Sequence, residues 1–216
     1  MPHVLVESNW LFDYAAPAHH QSPAAVRLLE RALQGEFTLH VPNCCLGEGR
    51  NAIHLKCQPR NEANAIRRFL AHPESGGQIA REDATVVRDV LNQYERSIQR
   101  DLHSLTNKLK LLAELPCVHI FALDDAMLAR ATELALAGIT LQPYDQAVLA
   151  GVLVSAERLW NSGERLLAFC ETDAHLQPWD KEGRSKTPLK DAYDKAHVWV
   201  YEDFTLKTPS RRPDFE

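Results

Sequence analysis

Short apolar runs suited to strands alternate along this chain with longer stretches whose apolar residues recur every three or four positions. The first run, within His3 to Glu7, is Val4-Leu5-Val6 and ends on a carboxylate; Ser8 or Asn9 can then cap a helix carrying Trp10, Leu11 and Tyr14. Ser22-Pro23 predicts a second helix start, because proline in the first turn forfeits no hydrogen bond, and Val26, Leu29 and Leu33 supply its stripe before Gly35 stops it. Phe37 to Val41 predicts a second strand closed by Pro42. From Asn43 a helix follows with Leu46, Ile53 and Cys57 on its apolar side and Gly47 and Gly49 flanking Glu48. Asn61 to Leu70 predicts another helix, and Pro73 to Gly77 a turn.

Residues 81 to 115 hold neither glycine nor proline, and their apolar positions fall at 87, 91, 94, 98, 102, 105, 109 and 112. Steps of three and four give the seam of one long amphipathic helix, or of a helix pair if it bends near His103. Such a seam serves packing across the domain or, alternatively, a homodimer. Val118 to Leu123 predicts a third strand, and Asp124 caps a helix ending at Gly138. Pro143 and Tyr144 open an apolar helix over Ala147 to Leu159, which leads to a fourth strand, Leu166 to Cys170. Residues 177 to 190 predict a polar loop, Ala192 to Lys195 a helix end, and His197 to Tyr201 a fifth strand. Strands that alternate with helices, and that are apolar on both faces, predict an α/β fold: three layers, α/β/α, around a central parallel sheet with a long helical insertion.

A length of 216 residues with 45% apolar and 25% charged content suits one domain, over residues 1–204, with the insertion at about 74–116 and a flexible tail at 205–216. No apolar stretch is long enough to span a bilayer, and Met1-Pro2-His3 begins nothing like a signal peptide, so the expectation is a cytoplasmic protein with no membrane partner. Five cysteines without a C-x-x-C pair predict reduced thiols. The net charge of −5 supplies no general attraction to nucleic acid, so phosphate contacts would have to come from a local basic patch or from metal ions.

That condition turns attention to the acids. Glu7 and Asp173 each follow a buried strand, Glu48 lies in the first turns of a helix, and Asp145 opens the apolar helix. In open α/β sheets ligands bind beyond the carboxyl ends of strands, where strand order reverses. Carboxylates crowded there repel one another unless a cation neutralises them. An all-oxygen donor set favours Mg²⁺ or Mn²⁺ over zinc. Such a centre suits phosphodiester hydrolysis by metal-activated water.

The run Val4 through Asp13 resembles the opening of the PIN domain, an apolar strand followed by Asp, Thr or Ser, Asn and an apolar helix. Val41-Pro42 through Glu48 resembles its second motif, Tyr144-Asp145 through Ala150 its third, and Phe169 through Leu176 its fourth. The resemblance covers residues 3–57 and about 118–203 but not the helical stretch between. It implies strand order 3-2-1-4-5 and a Mg²⁺- or Mn²⁺-dependent endoribonuclease, often toxin-like and held by an inhibitory or regulatory protein partner. Glu7, Glu48, Asp145 and Asp173 are then the catalytic metal ligands, with Asn9 and Thr172 behind them. The family's first acid is Asp, so Glu7 carries its carboxylate one methylene farther out. That departure supports the alternative of a catalytically weak or inactive module that binds protein or RNA. A small-molecule phosphohydrolase using the same metals is a third reading. For an RNA substrate the candidate phosphate contacts are Arg50, Arg67, Arg68, Lys181 and Arg184, with Lys186 and Lys190 nearby in sequence. Trp179, beside the basic loop, is a candidate for stacking on a base.

Overall fold

Each of the five apolar runs forms a strand in the computed structural model, which describes residues 2–75 and 79–207. The strands are β1 (His3–Val6), β2 (Thr38–Pro42), β3 (Val118–Phe121), β4 (Leu167–Cys170) and β5 (Trp199–Tyr201). All pair in parallel, in the order β3-β2-β1-β4-β5. The chain steps outward from β1 to β2 and β3, then crosses back to lay β4 on the free side of β1. Strand order therefore reverses between β1 and β4, and in open α/β sheets ligands bind beyond the carboxyl ends of the strands at such a reversal.

Residue alternation assigns the two faces of the sheet to two cores. Val4, Val6, Leu39 and Val41 point into one core with α1 (Ser8–Ala15), α2 (Pro23–Leu33), α3 (Asn43–Lys56) and part of α5 (Arg81–Ala113). Leu5, Phe169, Val198 and Val200 point into the other, with α6 (Asp125–Leu136), α7 (Pro143–Asn161) and α8 (Thr187–Lys195). Burial on both faces is why the strands are so uniformly apolar. On the first face Trp10 is fully buried and its indole N–H donates to the Ala25 carbonyl at 3.1 Å, which satisfies the one polar atom of a large apolar side chain.

From Arg81 to Ala113 the 81–115 stretch is one uninterrupted helix with no break at His103. Its seam is used within the chain: Leu91, Ile98, Leu105, Leu109 and Leu112 are buried, whereas Val87 and Val90 nearer the N-terminus are exposed. The first half pairs with α4 (Arg60–Ser75), and the second half packs on α1, α3 and β3. The buried side chains of this seam thus already have partners within the chain. Lys108 ties the helix to the body by donating to the Tyr14 carbonyl at 3.0 Å.

Two local expectations are corrected. The helix α4 continues through Pro73 to Ser75 where a turn was expected; residues 76–78 lie outside the described set. The expected loop over 177–190 ends early, because α8 begins at Thr187 with Pro188 in its first turn, a position where the missing N–H costs nothing. At the start of the expected tail, the Thr205 carbonyl accepts from the Arg31 guanidinium at 2.9 Å, directly after the buried Phe204; residues 208–216 lie outside the described set. Among the described residues no helix is long and apolar enough to cross a membrane.

Candidate functional site

The candidate site lies at the reversal between β1 and β4 and starts from the first residues after each strand. Glu7 leaves β1 with extended backbone (φ −128°, ψ −164°) and is itself the cap of α1, a role expected of Ser8 or Asn9. Its Oε1 accepts from the Asn9 backbone N–H at 2.7 Å, and the Ser8 hydroxyl donates to its Oε2 at 2.6 Å. The longer side chain folds back to do what an aspartate commonly does at this position. Only 5% of Glu7 is exposed.

On β4 the equivalent position is Glu171. Val6 pairs with Cys170, so the residues that follow them, Glu7 and Glu171, leave adjacent strand ends. Glu171 is completely buried, and its Oε1 accepts from the Asp173 N–H at 2.5 Å and from the Asn9 side-chain amide at 3.4 Å. Asn9 therefore ties α1 to the turn after β4. Asp173 stands half-buried two residues on and accepts from the His175 N–H at 2.8 Å. Thr172, expected behind the acids, is exposed instead, and Glu171 has the inner position. Glu171 was not singled out from sequence, although the signal was present: an apolar run ending on Glu occurs at both strands, Val4-Leu5-Val6 before Glu7 and Leu167-Ala168-Phe169-Cys170 before Glu171.

Two helices bring the remaining acids. The helix α3 starts directly from Pro42, and Glu48 follows one and a half turns in. Its neighbour Gly49 lies against α1, where a Cβ would sit 3.0 Å from Leu11 Cβ and 3.6 Å from the Ser8 carbonyl. That missing side chain lets α3 close onto the helix that Glu7 caps. Asp145, half-buried, occupies the first turn of α7 as expected.

Charge defines the site more sharply than any single contact. Burial pushes the Glu7 carboxyl up from its ordinary 4.5 to about 7, against the pull of its hydrogen bonds to Ser8 and Asn9, and Glu48 adds to the rise. Burial, then Glu7 and Asp173, hold Glu171 well above the carboxylate range. Burial, then Asp173 and Glu48, raise Asp145, while His175 opposes the rise. The repulsions thus link Glu7 to Glu48, Glu48 to Asp145, Asp145 to Asp173, Asp173 to Glu171 and Glu171 to Glu7, a closed ring of five carboxylates. Two of their oxygens, Oε2 of Glu48 and Oε2 of Glu171, are buried without a hydrogen-bond partner. Beside the ring, the Cys45 thiol holds Cys44 down to about 6, and burial pushes the Tyr144 hydroxyl up.

An all-oxygen donor set, orphaned buried carboxylate oxygens and mutual repulsion are what a hard divalent cation would relieve. The side chains are not drawn into a coordination sphere: among the described residues no group of three or more His, Cys, Asp or Glu is arranged to hold a metal ion.

The basic candidates are scattered. Arg67 donates to both carboxylate oxygens of Glu95 at 2.8 and 2.9 Å and to Asn92, so its guanidinium braces α4 against α5. Arg184 is engaged by Asp180 at 2.6 Å and Glu182 at 3.0 Å. Arg50, Arg68 and Lys181 are exposed. Lys186 donates to the Ala174 carbonyl, in the turn that bears Asp173. Comparison with family models, with curated proteins and with solved structures gave no match.

Proposed function

We propose that the chain is a PIN-like, Mg²⁺- or Mn²⁺-dependent endoribonuclease whose centre is Glu7, Glu48, Asp145, Glu171 and Asp173. The observation that carries this reading is the closed ring of repelling carboxylates at the strand-order reversal. Glu48, Asp145 and Asp173, the less buried members, would hold the metal. Glu7 and Glu171, anchored by the α1 cap and the β4 turn, would set the field behind them. When bound, the metal supplies an activated water and neutralises charge on a phosphodiester. Asn9 fixes the spacing of the two deep acids by joining α1 to Glu171. His175 favours the ionised form of Asp145.

The test is cleavage of single-stranded RNA with Mn²⁺ by the parent, Asp145→Asn and Asp173→Asn. Each variant keeps the side-chain shape and removes a repelled charge, so the fold should survive. Activity should fall by about 100-fold or more, at the upper end of what even supporting groups of metal sites cost. Equal rates in all three proteins would sink the assignment.

A second reading is a catalytically weak or inactive PIN-like module that binds RNA or a protein. It is favoured by Glu7, whose two carboxylate oxygens are both already engaged by α1. No Mn²⁺ binding by calorimetry, together with retained RNA binding, would select it.

A further inference from the structure

The turn after β4 also forms one wall of a groove of about 600 Å³, with Thr172, His175, Trp179 and Lys181 among its lining. Its volume is that of a small-molecule site. Asp173 lies between two of its lining residues in sequence, so the groove begins where the acidic ring ends.

The far wall is rigid. Trp179 pairs with Ser185 across a tight hairpin, the Asp180 N–H donates to the Arg184 carbonyl at 2.9 Å, and the Lys186 N–H donates to the Pro178 carbonyl at 2.9 Å. Gly183, at φ +78°, makes the turn that closes this hairpin. Behind the hairpin, the buried Tyr193 hydroxyl donates to the Leu176 carbonyl at 2.9 Å. The Lys190 ammonium stands over the Trp179 ring, 5.7 Å from its centroid. Lys190 is not a groove residue; with Tyr193, Val198 and Val200 it lines a small cleft on another side of Trp179. The half-buried indole is thus backed from behind and presented to the groove.

Charge decides what such a groove suits. Its two lysines, Lys181 and Lys186, are matched by two acids, Asp180 and Glu202. A phosphate would gain little there. A flat neutral heterocycle would gain an aromatic wall and polar edges from Thr172 and His175.

We propose that this groove is a nucleobase subsite, in which Trp179 stacks on the base next to the phosphate held at the acidic ring. The proposal rests on the nuclease reading and names its substrate as unpaired nucleic acid, since a base inside a duplex cannot enter the groove.

The probes are adenosine 5′- and 3′-monophosphate and ribose 5-phosphate, titrated calorimetrically with Mn²⁺ into the full chain. The parent should bind at least one adenosine monophosphate more tightly than ribose 5-phosphate. Trp179→Ala should lose about five-fold or more of that affinity, the low end of what stacking on an aromatic contributes, and Trp179→Phe should keep most of it. Binding of ribose 5-phosphate should be unchanged in both variants, which also reports that they are folded. Equal affinity of the parent for all three probes overturns the subsite and leaves the nuclease reading standing. Equal loss of ribose 5-phosphate and nucleotide in Trp179→Ala overturns it too. Binding of no probe by the parent overturns the subsite together with the metal-centre reading.

Discussion

If the deep acids of the ring are forced into the fold without a counter-charge, the metal-free protein should carry a measurable penalty at neutral pH, and Glu7→Gln should remove part of it. Glu7 ionises near 4.5 in the unfolded chain and at about 7 in the folded one. Below pH 4.5 it is protonated in both states and costs nothing. Between the two values the unfolded state has lost its proton and the folded state still binds it, so stability falls as pH rises. The gap between 4.5 and about 7, at about 1.4 kcal/mol per pH unit, amounts to roughly 3 kcal/mol once pH exceeds 7. The parent's own curve will not display this directly. His40 is buried against His3 and His119, and its pKa falls from 6.5 to about 3, with burial the larger cause. That gives the opposite slope, with stability lost as pH falls from 6.5 towards 3, and the two slopes nearly cancel from 4.5 to 6.5. The informative quantity is therefore the difference between Glu7→Gln and parent. Urea unfolding followed by circular dichroism in EDTA should show the variant gaining on the parent by roughly 3 kcal/mol between pH 4.5 and 8. The part that belongs to Glu171 should persist in the variant. Mn²⁺ added at pH 7.5 should stabilise the parent. Parallel stability curves for the two proteins would refute the reasoning.

Two further outcomes follow from packing. Gly49→Ala places a Cβ 3.0 Å from Leu11 Cβ, an atom too close to its backbone to swing away, and should cost about 1–3 kcal/mol by urea midpoint despite alanine's better helix propensity. Because Ser8 and Glu7 move with α1, the same variant should also weaken Mn²⁺ binding. Leu105→Ala, at a position 1% exposed, should cost about 2–5 kcal/mol, whereas Val90→Ala, 59% exposed on the same helix, should stay within about 0.5 kcal/mol. Equal effects of the last pair would mean that the second half of α5 is not part of the core.

The layered sheet was readable from sequence because parallel strands buried on both faces leave unbroken apolar runs, and because Asp124 and Pro143 punctuate helix starts in ways local chemistry explains. The elements that went astray are those where tertiary context overrides a local rule. Pro73 signals a break, yet α4 runs past it. Thr187-Pro188 opens a helix inside a stretch whose composition looks like loop, because Leu189, Ala192 and Tyr193 find burial there. The steps of three and four across 81–115 identify a helix but not which seam positions find partners: Val87 is exposed, whereas Ala84 one turn before it and Leu91 one turn after it are buried.

The site was harder, for a physical reason. The four acids taken from sequence were those beside an apolar run that matched a strand end or a helix start, and Asp173 drew the reading past the acid directly after β4. Glu171 lies one residue beyond an all-apolar strand, where an acid is costly unless something compensates. Its cost is the clue. Glu7 and Glu171 leave adjacent strands at the same level, both buried, both displaced upward in pKa, and each raised or joined by a neighbour in one ring. A chain under no functional demand would relieve this with Gln or Leu at either place, since replacing buried charge by a neutral or apolar group is commonly neutral or stabilising. Glu7 caps α1 with one carboxylate oxygen, and its charge raises Glu171 at the end of β4, so the two acids are linked by repulsion across adjacent strand ends. Glu171→Gln tested beside Glu7→Gln separates the two accounts: coupled sites give a double variant whose gain at pH 8 differs from the sum of the singles, and independent ones add.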